Sequence, residues 1–271
     1  MSFVTIREDL EEALTEAWEE ASKVPGFLLE PEGRFLGLVA ASLNVDGGIV
    51  EVGSFKGKST VMLAKICQRY GLPRIAAIDP HNFNNAELKK RKTSLDSTTY
   101  DEFLANLRST GVLGWVEPYR AYSYDVSRSW KDPIRLLWID GDHSYRGAKG
   151  DFDAFLPHVV PGGVVAFHDA LHEFSGPIRV FVEDVLRSDH FGAAGFVGSI
   201  AWSQFRPRDG DLFRKERLEL DKLASPVVDI LKNEAELRGV AKLKFKLRRA
   251  KVPRSPIRPQ EWASLINRIS G

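Results

Sequence analysis

From residue 48 to about residue 205 the chain alternates short apolar runs with segments of helical apolar spacing. This alternation limits the fold more than any other feature. The runs are "GIVEVG", "RIAAID", "GWVEPYR", "IRLLWID" and "GVVAFHD". Between and after them lie "STVMLAKICQRYG", "TTYDEFLANLRSTG", "GAKGDFDAFLPHV" and "PIRVFVEDVLRS", each with helical periodicity. Gly71 ends the first of these helices and Pro73 prevents its continuation. Pro118 interrupts "GWVEPYR", which weakens that strand, and "PGG" before "GVVAFHD" reads as a turn. Repeated strand-helix units imply a parallel sheet covered by helices on both faces. "AAGFVG" and "SIAWSQF" follow, joined by a tight Gly-Ser turn. The expected fold class is therefore α/β: a Rossmann-like doubly wound sheet, mostly parallel, with an antiparallel C-terminal edge hairpin. Its ligand should lie at the carboxyl ends of the strands, near the switch in strand order.

Two flanks surround this core. Thr5 and Glu8 have capping-box spacing, and Leu10, Leu14, Ala17, Trp18 and Ala21 then recur at helical spacing. A second apolar helix is expected over residues 34–43. Together these N-terminal helices form a lid or brace. After about residue 207 the chain becomes basic, and between Leu237 and Gln260 it has no acid, as in "KLKFKLRRAKVPR". The plain reading is a solvated or self-paired helical extension. A sharper one is a surface that recruits a polyanionic or lipid-linked substrate. The expected division is 1–47 for the brace, 48–206 for the ligand-binding domain and 207–271 for the basic helical extension.

Composition narrows the class. Of 271 residues, 43% are hydrophobic and 28% charged, enough for a full core. The net charge of +1 gives no bulk field toward nucleic acid or membrane. No apolar run approaches the roughly 18–20 residues of a membrane span. The N-terminus is acidic and amphipathic, unlike a secretory signal. Cys67 is the one cysteine, which excludes an intrachain disulfide and fits a reducing, cytoplasmic setting. It lies on a helical apolar face, where a buried small hydrophobe is expected rather than a nucleophile. Oligomeric state carries no readable signal, and a homo-oligomer stands among the expected partners.

The stretch "IVEVGSFKGKST" imitates a phosphate loop. A Walker A loop needs glycine, four residues, then Gly-Lys-Ser/Thr. Here Gly53 and Gly57 enclose only Ser54, Phe55 and Lys56. A loop one residue short cannot wrap the same phosphate with the same amides. Glu51 also stands where polyphosphate would approach; its carboxylate repels phosphate and attracts an ammonium or sulfonium. The G-x-G-x-x-G spacing of the dinucleotide fold is absent as well. The next strand ends in Asp79, and an acid there is the usual partner of ribose hydroxyls. A P-loop nucleotide hydrolase and a nucleic-acid-binding module on a silent fold are the rival readings.

"EVGSFKGKST", "AIDP" and "LLWIDGDHSYRGAKGDFDAFLPHVVPGGVVAFHD" together resemble the class I S-adenosylmethionine-dependent methyltransferases, over roughly residues 48–205. The nearest branch is bacterial and includes small-molecule and sugar O-methyltransferases. The resemblance implies S-adenosylmethionine as cofactor and a small-molecule or glycan acceptor, with no nucleic acid. It implies that the Glu51-Val52-Gly53 turn approaches the methionine part, and that Ser54, Phe55 and Asp140 also contact the cofactor. Asp79 would hold the ribose, and the stretch ending at Ser123 would lie by the adenine. Ser59 or Thr60 would stand near the cofactor's carboxylate.

"WIDGDHSY" sets Asp140, Asp142 and His143 just past a buried strand, and "FHDA" sets His168 and Asp169 at the end of the next. Two aspartates converging from neighbouring strand ends could hold Mg2+ or another divalent cation. A metal lowers an acceptor hydroxyl's pKa, and histidine titrates in the right range to take the proton. In metal-using relatives the resemblance implies a metal aspartate matching Asp140. It also implies a base three residues later, matching His143, and a second metal acid, matching Asp169. Those relatives commonly carry two adjacent acids or an Asp-Asn pair at the second strand, whereas here the neighbours of Asp169 are His168 and Ala170. Asp140 and Asp142 could instead cap the helix beginning near Tyr145. His81 and His172 lie near loop tips without a supporting motif, and His158 and His190 read as structural. The insertion "HNFNNAELKKRKTSLDS" after Asp79 should cover the acceptor site, and its "KKRK" run is a solvated face or an anion-binding one.

Overall fold

The structure is a computed structural model and describes residues 3–82, 99–233 and 237–268. Most of the insertion after Asp79, with its "KKRK" run, lies outside the described residues. Seven strands form one sheet: β1 Gly48–Val52, β2 Ile75–Ile78, β3 Val116–Tyr119, β4 Ile134–Ile139, β5 Val159–Phe167, β6 Phe191–Val197 and β7 Ile200–Phe205. Their order is β3-β2-β1-β4-β5-β7-β6. Strands β1 to β5 pair in parallel, while β7 pairs antiparallel with both β5 and β6. The expected fold class is what forms. β1 and β4 are adjacent although two strands separate them in sequence, so the strand order switches between them.

Both faces of the sheet are buried, and the two-residue period of a strand divides each run between two cores. Ile49, Ala77, Leu136, Trp138 and Val164 face one core; Val50, Ala76, Leu137, Ile139 and Val165 face the other. The first core is roofed by α1 Leu10–Ser22, α2 Glu30–Ser42, α3 Lys58–Tyr70 and α4 Thr99–Ser109. Over the second lie α6 Tyr145–Phe155, α7 Ser175–Val180 and α8 Arg214–Asn233; the short α5 Ser123–Ser127 precedes them. The basic tail continues as α9 Gly239–Arg249 and α10 Pro259–Ile266. It touches both cores: Phe245 and Val252 are buried in the second, Trp262 and Ile266 in the first. On the way the Gly198 amide donates to the Arg254 carbonyl at 3.0 Å, where the tail passes the β6–β7 turn. Among the described residues no helix is long and apolar enough to cross a membrane.

Three local expectations are corrected. No capping box forms at Thr5: α1 starts after Asp9, which makes no side-chain cap. Val4 instead bridges Leu43, and Thr5 is drawn into that pairing, its amide donating to Ser42 at 3.0 Å. Helix α2 starts a turn earlier than the apolar pattern suggested, because Pro31 suits a first helical turn. The "PGG" segment lies inside β5 rather than before it. It is accommodated by a register shift against β4 and by Gly162 at φ +89. β3 is an edge strand, so the missing amide of Pro118 costs no ladder bond there.

Candidate functional site

The site lies at the carboxyl ends of β1, β2, β4 and β5, where the ladder runs one residue past the strands. The Gly53 amide donates to Ile78 at 2.8 Å, Asp140 to Val52 at 2.7 Å, and His168 to Ile139 at 2.9 Å. These bonds fix the four loops against each other. Gly53 has φ +91, and a Cβ there would meet the Asp140 carbonyl oxygen at 2.2 Å. The close approach that demands glycine is thus to β4, at the switch in strand order. Phe55, His81 and Asp169 have φ of 45, 52 and 53, a left-handed conformation uncommon for non-glycine residues. All three lie in loops of this site, the setting where such backbone strain collects.

Glu51 is fully buried. It accepts from Ser59 Oγ at 2.5 Å and from Thr60 Oγ1 at 2.5 Å, which clasps β1 to the first turn of α3. Burial pushes its carboxyl up to about 7, the two hydroxyls opposing. The hydroxyls expected near the cofactor's carboxylate are therefore engaged by Glu51. Ser54 is buried and its Oγ has no hydrogen-bond partner, a free polar atom beside the glycine turn. Asp79 accepts the Phe55 amide at 2.8 Å and the His81 amide at 2.6 Å. A carboxylate keeps further lone pairs after two such bonds, so ribose hydroxyls can still be accepted. Ser123 donates to Asp151, whose carboxyl burial lifts to about 6. Lys58, the lysine of the phosphate-loop imitation, turns away, with Nζ 5.3 Å from the Trp18 ring centroid.

The acidic cluster converges as the spacing implied. His143 Nε2 lies 3.5 Å from Asp140 Oδ1 and 3.4 Å from Asp169 Oδ2. It is buried and makes no well-aligned hydrogen bond. One donor atom from each of Asp140, His143 and Asp169 falls within 4.8 Å of the others. Such a gap between donors can hold a proton or a cation. Two carboxylates with an imidazole suit a borderline ion such as Mn2+ or Zn2+ better than Mg2+, which prefers oxygen. Phe174 stacks on the imidazole at 4.7 Å. Gly176 lets α7 come this close, since a Cβ there would meet the His143 carbonyl at 2.4 Å.

Behind the cluster stands a chain the sequence reading missed. His168 Nδ1 lies 3.0 Å from Asp140 Oδ1, and its Nε2 lies 3.5 Å from Glu32 Oε2 on α2. Glu32 also accepts the Ser199 amide and hydroxyl, each at 2.7 Å, and the Leu29 amide at 3.0 Å. Burial alone would neutralise these groups. The carboxylates on either side nevertheless raise His168 well above its ordinary range. His168 and His143 in turn hold Asp140 low against burial. For His143, too, burial is outweighed, by Asp140 and Asp169, which raise it. Glu32 carries no local signal: it is one acid in an amphipathic helix, and only the fold brings it to β5. His172 joins as well, with Nδ1 3.1 Å from Asp169 Oδ1.

The remaining candidates divide cleanly. Helix α6 is capped by Ser144, whose Oγ accepts the Gly147 amide at 3.0 Å. Asp142 braces that cap by accepting the Ser144 amide at 2.8 Å, and Asp140 faces the histidines instead. His81 packs between Tyr100 and Phe103 at 5.0 and 5.3 Å, as a structural residue does. His190 lies outside the site, near the Pro207 carbonyl. Cys67 is buried, and burial pushes its thiol up to about 12, which excludes a reactive thiolate.

Residues 50–170 match the family Methyltransf_24, described as a methyltransferase domain. The chain is 27% identical over 125 residues to the uncharacterized protein R132 of Acanthamoeba polyphaga mimivirus. That match covers 44% of this chain and 50% of the viral protein, so the chain spans half the length of that relative. The cofactor-bound structure of Rv0187 from MTB is similar at a TM-score of 0.53 and 18% identity, covering 74% of this chain and 92% of that one. A protein from Corynebacterium glutamicum is similar at 0.52 and 18%, covering 72% and 90%. A candidate O-methyltransferase from Klebsiella pneumoniae is similar at 0.50 and 17%, covering 74% and 91%. At such identities the structures speak to the fold, and the family match speaks to the domain. The span that matches the methyltransferase domain begins within β1 and ends just past Asp169, so it takes in both the glycine turn and the acidic cluster.

Proposed function

We propose that the protein transfers a methyl group from S-adenosylmethionine to a hydroxyl oxygen of a small molecule or sugar. The observation that carries this reading is the His143 imidazole held between Asp140 and Asp169, across the strand switch from the glycine turn. S-adenosylmethionine, when bound, supplies an electrophilic methyl group on a sulfonium. The free Ser54 hydroxyl, the Gly53 turn and the Asp79 carboxylate fit the methionine and ribose parts of that cofactor. Glu51 favours the sulfonium's charge when ionised.

A hydroxyl is a poor nucleophile until it loses its proton. With Nε2 of His143 turned toward the two carboxylates, Nδ1 is the nitrogen left to take that proton. The imidazolium that results is stabilised by Asp140 and Asp169, as a buried acid stabilises the histidine of a hydrolase triad. Phe174 holds the ring plane, while His168 and Glu32 hold Asp140 ionised and oriented. A divalent cation on Asp140 and Asp169 would lower the acceptor hydroxyl's pKa when bound.

The test is direct. S-adenosylhomocysteine should raise the melting temperature; stabilisation by ATP alone would overturn the reading. With a turned-over hydroxyl acceptor, His143→Ala should lower kcat by roughly 10²–10⁴-fold while keeping the S-adenosylhomocysteine shift. Activity unchanged in that variant removes His143 as base. Activity unchanged in EDTA removes the metal from the reading.

A further inference from the structure

Helix α9 carries a surface that the proposed chemistry does not use. One side of it buries Phe245 in the second core. The opposite side presents Val240, Leu243 and Leu247, which are 68%, 58% and 59% exposed. Steps of three and four residues put these side chains on one stripe of a helix. Lys244, Lys246 and Arg248, all exposed, border the stripe. From Leu237 to Gln260 the chain has no acid to neutralise them. A water-facing helix turns its lysines out and its leucines in, whereas α9 turns both out. Apolar residues between cations suit the boundary of headgroups and acyl chains, where leucines enter the apolar layer and lysines meet anionic headgroups.

Position adds to the argument. Lys242 pairs with Glu173 at 3.1 Å, and the next residue, Phe174, is the ring stacked on His143. The helix is thus tied to the loop at the mouth of the candidate site. Other occupants fit less well. Phosphate backbones do not use a row of leucines, so nucleic acid leaves the stripe unexplained. In a second copy, the acidic α1 offers the opposite charge but no matching apolar face. Its Leu10 and Leu14 are buried, Asp9, Glu12 and Glu16 lie against Arg69, and Glu11 pairs with Arg34.

We propose that α9 seats the protein on an anionic lipid surface and brings its site to hydroxyl-bearing amphiphiles held there. The docking stands by itself; the choice of acceptor rests on the methyl-transfer reading above. The full chain should co-sediment with vesicles of equal parts phosphatidylglycerol and phosphatidylcholine, and not with phosphatidylcholine alone. Added salt should weaken the binding. Leu243→Asp with Leu247→Asp should reduce it by roughly tenfold or more, with the thermal unfolding transition by circular dichroism retained as proof of folding. Lys244→Glu with Lys246→Glu should act in the same direction. No binding to the anionic vesicles overturns the docking, and so does binding that survives both double substitutions. A dimer that the leucine substitutions dissolve, without vesicle binding, assigns the stripe to a second copy and overturns it too. Tighter binding to duplex DNA than to vesicles has the same effect. Vesicle binding without transfer to any vesicle-held hydroxyl keeps the docking and removes the acceptor class.

Discussion

Glu32 reaches the site from α2, 136 positions away from His168 in the chain, and sets the charge balance behind Asp140. Burial would raise its carboxyl, but His168, with the Ser199 and Leu29 amides, holds it at about 2, against an ordinary value of 4.5. The folded protein therefore releases this proton more readily than the unfolded chain does. The stabilisation is complete above about pH 4.5 and is lost as pH falls toward 2. Its full size is on the order of 3 kcal/mol by linkage. Glu32→Gln should remove that slope: urea midpoints taken from about pH 5 down to about pH 3 should fall less steeply in the variant than in the parent. Equal slopes would mean that Glu32 does not carry the charge its contacts imply. In the sequence Glu32 looks like any solvated acid of a helix, whereas Asp140 and His143 stand out because the apolar "LLWI" run delivers them to a strand end.

Among the elements, the β1–α3 turn and the β4 end act as one unit. Gly53 lies against the Asp140 backbone, Glu51 clasps Ser59 and Thr60, and the Asp140 amide returns to Val52. Gly53→Ala would need both an unfavourable φ and a shift of β4 carbonyl backbone that has no flexible end to move. It should cost at least about 2 kcal/mol in chemical denaturation. It should also weaken S-adenosylhomocysteine binding, read by calorimetry. A stability loss under about 0.5 kcal/mol, typical of an ordinary surface change, would show that β4 yields easily. The turn's glycine and its failure to match a phosphate loop were legible in the sequence. That its tight contact is to Asp140 was not, because strand order is a long-range property and nothing in "EVGSFKGKST" names its neighbour.

Across the whole molecule, the two flanks are parts of the cores. Trp262 is fully buried, donates from Nε1 to Ser42 Oγ at 2.9 Å, and meets Phe35 and Trp202 at 5.6 and 4.9 Å. It joins α10 to α2 and β7, so the tail is bound to the brace that carries Glu32. Trp262→Ala should cost about 3–5 kcal/mol in global unfolding. The unfolding should remain a single transition by circular dichroism and fluorescence. A separate early transition would show that the tail melts independently.

The sequence by itself determined the α/β layering, the sheet's mostly parallel character, the closing hairpin and the position of Asp79, Asp140, His143 and Asp169 at strand ends. These are local consequences of apolar runs, helical periods and breakers, each readable within a dozen residues. Tertiary structure alone decided that His143 sits between two carboxylates and that His168 links Asp140 to Glu32. The same holds for Ser59 and Thr60, which turn to Glu51, and for the tail, which buries one face of α9 and leaves another apolar. Those outcomes depend on which distant segments share a buried volume, and there an uncompensated charge or an unpaired hydroxyl must find its partner wherever packing puts one.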